Sequence, residues 1–327
     1  MKAKLQKGIL IVLSALLSLS LLGGCGAKEE KKGVTVVCTI FPLYDWARQL
    51  TAGTETEVKL LADNGADLHS YQPSAEDVIE IATCDLLIMV GGASDRWVEE
   101  ILNSQPGEDR RVCRVSELEG ITLRQISEES TEDTCAEEDC HDHDHDHEMD
   151  EHLWLSLKNA VRGCEEITEE LKKLDEANSE IYALNRNAYA EQLLALDTEF
   201  REAAEAAQSP SVVFADRFPF VYLMEDYGIR YRAAFRGCTT ETDADFDTIC
   251  RLAEQVDQWG LSFLMTTESP TDGLAEQVRA NTKTKDQRIL VMNSIQSVTR
   301  AELAEGRTYL NDMRENLDVL RQGLLGQ

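Results

Sequence analysis

The chain has 327 residues, enough for one large or two medium-sized domains, and its hydrophobic content of 43% is ordinary for a globular protein. Its 61 acidic residues against 32 basic ones give a formal net charge of −29, which argues against nucleic-acid binding because that function needs basic surface. The charge fits a soluble, exported protein that attracts cations, although a simple solvated acidic surface would give the same balance.

The first residues are typical of an export signal. Lys2, Lys4 and Lys7 precede an apolar stretch over 8–22 that is shorter than a typical membrane span. The stretch ends in a Leu-Gly-Gly-Cys sequence that resembles a bacterial lipobox, in which Cys25 would carry the lipid. We expect a lipoprotein signal peptide over 1–24 and a charged tether over 25–33. The alternative is an ordinary secretory signal without lipid.

Strand-like and helical segments alternate in the first half of the chain. A β-rich run over 34–40 is followed by a helical segment over 43–51, and the continuous apolar run over 85–91 is typical of a strand covered on both faces. Such alternation predicts a parallel sheet with crossover helices. We assign this N-terminal α/β lobe to 34–177.

A long helix is predicted next. Between Asp175 and Pro210 the chain has neither Gly nor Pro, and its apolar residues recur every three to five positions. About 30 helical residues span roughly 45 Å, which suits a rigid strut between two lobes. We assign the connecting helix to 178–208.

Alternating strands and helices return over 211–327, which predicts a C-terminal α/β lobe. The expected fold class is therefore α/β, with two parallel-sheet lobes joined by a single long rigid helix. Ligands of open α/β sheets bind beyond the carboxyl ends of the strands, so two facing lobes place a metal site in the cleft between them.

An acidic, histidine-rich segment interrupts the first lobe over about 128–151. It contains thirteen acidic residues, no Lys or Arg, and no periodic apolar face, so we expect a disordered insertion. Its run of alternating imidazoles and carboxylates offers nitrogen and oxygen donors to divalent ions such as zinc. We interpret it as a low-affinity metal collector, and the alternative is a flexible acidic linker that binds metal adventitiously. The collector residues are His141, His143, His145 and His147.

Two further histidines lie in loops that the predicted topology directs toward the cleft. His69 follows a predicted strand and precedes a helix that Ser74 can cap. His152 lies between the acidic insertion and the next helix. Taken alone, a histidine in such a loop is more often a surface residue than a metal ligand.

The chain contains nine cysteines, one of which is Cys25. An exported protein can pair the other eight, but their number does not define the connectivity. Cys135 and Cys140 flank the histidine run and could bridge each other or bind metal, and the sequence does not decide between these roles. The eight are Cys38, Cys84, Cys113, Cys135, Cys140, Cys164, Cys238 and Cys250.

Several motifs, in this order, resemble those of the cluster A-I solute-binding lipoproteins of zinc and manganese ABC importers. Residues 65–74 match the family pattern G-x-x-x-H-x-Y-x-P-S, and residues 150–156 match D-x-H-x-W-L-S. A pattern at the start of the connecting helix matches Asp175, Asn178, Tyr182 and Asn185. Residues 309–317 are similar to the family's C-terminal Y-x-x-x-M-x-x-N-L, so the resemblance covers essentially all of 34–327.

The resemblance implies that one metal ion is held by His69 and His152 from lobe one together with residues of lobe two. The lobe-two positions depart from the family. Ala215 or Arg217, according to the alignment anchor, occupies the third ligand position, and Ser297 the fourth. We therefore expect the nearby carboxylates of Asp216 and Glu268 to complete the site.

Zinc bound by few protein ligands also occurs in enzymes, so a hydrolase is the enzymatic alternative. The sequence has no H-E-x-x-H, G-x-S-x-G or P-loop motif, and we expect no enzymatic activity. The resemblance implies a monomeric extracytoplasmic lipoprotein, anchored to the bacterial cell membrane, that captures Zn²⁺ and delivers it to an ABC permease. Mn²⁺ is the less favoured cargo. The alternative is a surface zinc buffer or adhesin-like protein without a transport role.

Overall fold

The computed structural model describes residues 33–325 except for 67, 106, 108–109, 128–148, 239–243 and 272. The predicted signal peptide, Cys25 and the histidine run of the insertion therefore lie outside the described residues. Both lobes belong to one compact unit, Val34–Gln327.

The first lobe is built on a four-stranded parallel sheet in the order β2-β1-β3-β4. The apolar run of β3 is buried at every position because both faces of the sheet are covered. Leu86 and Ile88 face the main core of the molecule, whereas Leu87 and Met89 face a second core under two short helices. The strands are β1 Thr35–Cys38, β2 Glu57–Leu60, β3 Leu86–Met89 and β4 Arg111–Arg114.

Four helices cover this sheet, and their starts follow from the local sequence. Ser74 and Asp77 form a reciprocal capping box at the start of the second helix, and the Ser156 hydroxyl accepts a hydrogen bond from Asn159 N at the start of the fourth. The helices are α1 Phe41–Thr51, α2 Ala75–Thr83, α3 Arg96–Ser104 and α4 Leu157–Leu174.

A single long helix joins the two lobes. Helix α5, Ser179–Ala206, follows directly on a 3-10 turn at Glu176–Asn178. Asp175 Oδ2 accepts hydrogen bonds from Asn178 Nδ2 and from the Tyr182 hydroxyl, so the family motif at this point fastens the beginning of the helix. Its apolar side packs against α1 and α4.

The second lobe repeats the architecture of the first, with a four-stranded parallel sheet in the order β6-β5-β7-β8. Its strands are β5 Ser211–Phe214, β6 Arg230–Ala233, β7 Phe263–Thr267 and β8 Arg288–Met292. Its helices are α6 Val221–Asp226, α7 Phe246–Trp259, α8 Leu274–Asn281, α9 Arg300–Ala304 and α10 Tyr309–Leu324.

The main core is continuous between the lobes. Helix α10 packs against α1 and α5 as well as against its own sheet, and Tyr309 N donates a 3.0 Å hydrogen bond to Oδ2 of Asp45 in α1. This arrangement confirms the α/β fold expected from the sequence, with two parallel-sheet lobes and one long connecting helix. Within the described part of the chain, no helix combines the length and apolar character needed to cross a membrane.

Candidate metal site

Three side chains with metal-binding atoms meet in the cleft between the lobes. The donor atoms of His69, His152 and Cys238 all lie within 4.8 Å of one another, and they form the one such cluster among the described residues. His69 Nε2 and His152 Nε2 are 3.5 Å apart, and Cys238 Sγ is 3.2 Å from His152 Nε2. Ligands of a tetrahedral zinc ion are separated by about 3.4 Å for two nitrogens and about 3.6 Å for nitrogen and sulfur. The cluster therefore fits one zinc ion with small adjustments.

His69 lies on a 3-10 turn, Leu68–Ser70, in the loop that follows β2. Its Nδ1 is hydrogen-bonded to Ser94 Oγ at 2.9 Å, in the turn that leads into α3. The contact orients the ring so that Nε2 faces His152. A second nitrogen held by a neighbouring group is the usual arrangement of a metal-binding histidine.

His152 precedes the 3-10 turn at Leu153–Leu155 and is 2% exposed. Its Nδ1 donates a 2.9 Å hydrogen bond to Oδ1 of the buried Asp150. The Tyr222 hydroxyl of lobe two donates a 2.7 Å hydrogen bond to the Asp150 carbonyl, which fixes this loop against the second lobe. The loop therefore presents Nε2 in a defined direction.

The ionisation of His152 reflects two opposing influences. Burial, the largest single one, lowers the pKa of the imidazole, but Cys238 and Asp150 together outweigh it and raise the pKa well above the usual value. The surroundings of His152 therefore stabilise positive charge at this position. A divalent cation bound there would displace any proton on Nε2.

Cys238 is half-buried and follows β6 of the second lobe. An antiparallel bridge between Phe218 and Gly237 fixes the backbone immediately before Cys238. In this bridge Phe218 N donates a 2.7 Å hydrogen bond to the Gly237 carbonyl. Burial raises the pKa of the thiol, but His152 and His69 outweigh that influence and lower the pKa overall. The thiolate is the form that binds metal.

Asp216, expected as a ligand, is not a member of the cluster. It is completely buried after β5, and its carboxylate accepts five hydrogen bonds from main-chain and hydroxyl groups. Four of the five come from Thr267 and Thr271, so Asp216 ties the end of β5 to the end of β7.

Glu268, the second expected carboxylate, does not belong to the cluster either. Its oxygens accept hydrogen bonds from the main-chain N of Ser294, at 2.9 Å, and from the Ser294 hydroxyl. Ala215 offers only a buried methyl group. At the fourth expected position, the side chain that approaches the cluster is that of Gln296, the residue before Ser297. Its Oε1 lies 3.9 Å from Cys238 Sγ.

Comparison with known proteins agrees with this architecture. The sequence model of the family described as "ZnuA: Zinc-uptake complex component A periplasmic" matches residues 36–323. The chain belongs to the ZnuA family. This result confirms the resemblance to the solute-binding proteins of zinc ABC importers that the motifs indicated.

Two relatives illustrate the extent of the similarity. The zinc-binding lipoprotein AdcA of Streptococcus pneumoniae is 29% identical over 319 residues, which cover 97% of this chain but 61% of AdcA. The high-affinity zinc uptake system protein ZnuA of Bacillus subtilis is 26% identical over 330 residues, which cover 98% of both chains. The chain thus spans about three fifths of AdcA and nearly all of the B. subtilis protein.

Solved structures share the fold. The metal-dependent lipoprotein YcdH of B. subtilis superimposes with a TM-score of 0.73 at 23% identity, covering 89% of this chain and 99% of YcdH. Zn(II)-bound AdcA of S. pneumoniae gives a TM-score of 0.69 at 25% identity, covering 89% of this chain and 58% of AdcA. Both likenesses support the two-lobe architecture.

Sequence reasoning about this ZnuA-family chain left Cys238 without a role. One signal could have revealed it. The two sheets have the same strand order, so the loop after β6 in lobe two is the counterpart of the loop after β2, which carries His69. A cysteine in that counterpart loop is a natural partner for His69, once both sheets are known to face the same cleft.

Proposed function

We propose that this protein is an extracytoplasmic solute-binding protein that captures Zn²⁺ between its lobes and delivers it to an ABC import permease. The observation that carries the proposal is the 3.5 Å separation of His69 Nε2 and His152 Nε2, two residues that are 83 positions apart in the chain. Membership of the ZnuA family and the zinc-binding relatives support zinc as the cargo.

The placement of the donors suits capture followed by release. Both histidines are on loops of lobe one, whereas Cys238 is on lobe two. A change in the distance between the lobes would therefore alter the number of donors around the ion. A receptor needs such a change, since it must bind its cargo tightly and then transfer it.

We further propose that lipid on Cys25 anchors the monomeric protein to the outer face of the cell membrane. The histidines of the insertion, His141, His143, His145 and His147, would collect zinc at low affinity and raise its concentration near the cleft. The function requires no enzymatic step, because capture and delivery of the ion need only the donor atoms of the cluster. Mn²⁺ is the less favoured cargo because imidazole and sulfur prefer zinc.

Calorimetric titration of the mature protein with zinc tests the capture site. The His152→Ala variant should lose the tight site. Changes in groups that hydrogen-bond to a metal ligand typically lower metal affinity by roughly 10–100-fold, and removal of the ligand itself should lower zinc affinity further. A protein lacking residues 137–148 should keep the tight site and lose only weaker binding. The reverse order would contradict the assignment of the site to the cleft.

Zinc uptake by the native host tests delivery. Loss of the gene should lower uptake under zinc limitation, and the wild-type gene should restore uptake whereas a gene carrying His152→Ala should not. Unchanged uptake, with tight zinc binding retained by the purified protein, would instead indicate a surface zinc buffer.

A further inference from the structure

The side chain that lobe two contributes to the cluster offers a sulfur atom, and its position follows from the symmetry of the fold. His69 follows β2 and Cys238 follows β6, and these strands occupy the same edge position in sheets of the same order. The carboxyl ends of the two edge strands therefore bring one donor from each lobe to the cleft.

The distances around Cys238 are compatible with a shared metal ion. Its Sγ lies 3.2 Å from His152 Nε2, and the three donor atoms are mutually within 4.8 Å. Sulfur and nitrogen ligands of one tetrahedral zinc are about 3.6 Å apart, so outward adjustment by a few tenths of an ångström admits the ion.

Cys238 differs from the four cysteines that are buried in the cores of the described residues. Cys38, Cys84, Cys113 and Cys164 are buried, and burial is the main reason that the pKa of each thiol is raised. Such thiols are inert apolar groups in a core. Cys238 is half-buried, and its Sγ lies beside the imidazoles of His69 and His152.

The carboxylates of lobe two that sequence reasoning favoured are engaged elsewhere. Asp216 accepts five hydrogen bonds, four of which join the end of β5 to Thr267 and Thr271 at and after the end of β7, and Glu268 accepts hydrogen bonds from Ser294. To ligate an ion, either carboxylate would have to give up these bonds. Cys238 needs no such rearrangement.

We propose that Cys238 is a metal ligand and the residue that determines metal specificity, so that two imidazoles and one thiolate select thiophilic divalent ions such as Zn²⁺, Cd²⁺ and Co²⁺ against Mn²⁺. This inference rests on the proposed capture of cargo by His69 and His152. On binding, the metal–sulfur and metal–nitrogen bonds form, and the proton held between Cys238 Sγ and His152 Nε2 passes to solvent. Thiolate ligands favour zinc and softer ions, whereas manganese prefers oxygen ligands, which this donor set lacks.

The fourth coordination position is then available to an exchangeable ligand. The side-chain oxygen of Gln296 is 3.9 Å from Cys238 Sγ and lies on the lobe-two side of the cluster. Sites with three protein ligands and one replaceable position are kinetically accessible, in contrast to closed structural zinc sites. That property fits a protein that must hand its ion to a permease.

Cobalt titration of the mature protein tests the proposal directly, because tetrahedral cobalt bound to a thiolate absorbs in the near ultraviolet through sulfur-to-metal charge transfer. One equivalent of Co²⁺ should produce this band in the wild-type protein. The Cys238→Ser variant should lose the band and bind zinc at least about tenfold more weakly. The Cys250→Ser variant is the matched control, since this half-buried thiol in α7 lies outside the cluster, and it should keep the band. A Cys135→Ser, Cys140→Ser double variant should also keep it.

Metal competition provides the second measurement. The wild-type protein should exclude Mn²⁺, and Cys238→Asp should narrow the ratio of zinc to manganese affinity by at least about tenfold, because it replaces sulfur by oxygen. The proposal would be overturned if the wild-type protein bound cobalt tightly without a charge-transfer band that Cys238→Ser removes. If His152→Ala abolished that tight binding, the capture site would still stand. Absence of tight binding in the wild-type protein would overturn both. The cobalt charge-transfer band is measured first on the wild-type protein, so misfolding of a variant cannot hide the absence of a sulfur ligand.

Discussion

Asp150 and His152 are joined through a single carboxylate oxygen, because Oδ1 of Asp150 accepts hydrogen bonds from both the backbone N of His152, at 2.8 Å, and its ring Nδ1, at 2.9 Å. The double contact fixes the ring and places a proton on Nδ1. Nε2 is therefore the ring nitrogen that faces His69 and Cys238. A carboxylate behind a histidine also makes the imidazole a stronger ligand.

Replacing Asp150 by Asn should lower zinc affinity by about 10–100-fold, as expected for the loss of a carboxylate that orients a ligand. The effect of Ser94→Ala should be smaller, about tenfold at most, because the hydroxyl behind His69 is uncharged. Competition with a chelator of known affinity measures both. Asp247→Asn, at a side chain that is 83% exposed, is the control and should leave affinity unchanged. Equal affinities for Asp150→Asn and this control would contradict the role given to Asp150.

The loop that carries His69 is held against lobe two at Gly65. Its backbone N donates a 2.9 Å hydrogen bond to the Val298 carbonyl, and its φ of +77° is left-handed. A methyl group added at this position would lie 3.0 Å from Thr299 Cγ2. Gly65→Ala should therefore combine backbone strain of about 1–2 kcal/mol with a shift of the loop away from lobe two.

Gly53→Ala provides the matched control for Gly65→Ala. Gly53 has a φ of +81°, but a methyl group there would meet no atom within 4 Å. Thermal unfolding should show that both variants are destabilised, whereas zinc titration should show weaker binding for Gly65→Ala alone. If both variants bind zinc like the wild type, the contact between this loop and lobe two does not position His69.

Asp216→Asn separates a structural carboxylate from a metal ligand. The amide nitrogen would face hydrogen-bond donors, so the free energy of unfolding should fall by about 2 kcal/mol or more. Zinc affinity of the folded protein should stay within about threefold of the wild type, since the ligand distances in the cluster do not depend on this side chain. A large loss of zinc affinity with unchanged thermal stability would identify Asp216 as a ligand after all.

Asp95 gives a stability change with a defined pH window. Burial is the main cause that raises the pKa of this carboxyl from 3.8 to about 6, and its Oδ1 has no hydrogen-bond partner among the described residues. Between about pH 4 and 6 the folded protein therefore holds a proton that the unfolded chain releases. Stability falls as pH rises through this window, and the cost of the charged form, at most about 3 kcal/mol, is fully present above it.

The Asp95→Asn variant should remove this cost. In chelator-treated protein, its free energy of unfolding should exceed that of the wild type by about 1–3 kcal/mol at pH 7.5, and the difference should fall to about a third of that value at pH 4.5. Denaturant titration at the two pH values measures the difference. A variant that is less stable than the wild type at pH 7.5 would show that the charged carboxylate is favourable in the folded state.

The fold could be predicted because its signals are local. The buried run of β3 and the uninterrupted helical stretch of α5 are legible in the sequence, since apolar periodicity and the absence of Gly and Pro act within a few residues. Strand and helix alternation then leaves few topologies. The motif around Asp175 was informative for a structural reason, because its side chains fasten the start of α5.

The lobe-two side of the site could not be predicted in the same way. The sequence shows that Asp216 is a possible donor of oxygen ligands, but not that Thr267, 51 positions away, occupies one of its oxygens. The counterpart position of the loop after β6 is a signal for Cys238, but it does not place the Sγ beside His152, a contact across 86 positions. Both facts depend on how the two sheets face each other, and they became visible only in the folded chain.

A crystal structure of the zinc-loaded protein, with anomalous maps collected on both sides of the zinc absorption edge, tests the central claim most directly. We predict one strong peak about 2.0–2.1 Å from His69 Nε2 and His152 Nε2 and about 2.3 Å from Cys238 Sγ. A principal peak at Asp216 or Glu268, with the two imidazoles bound to no common ion, would contradict the account.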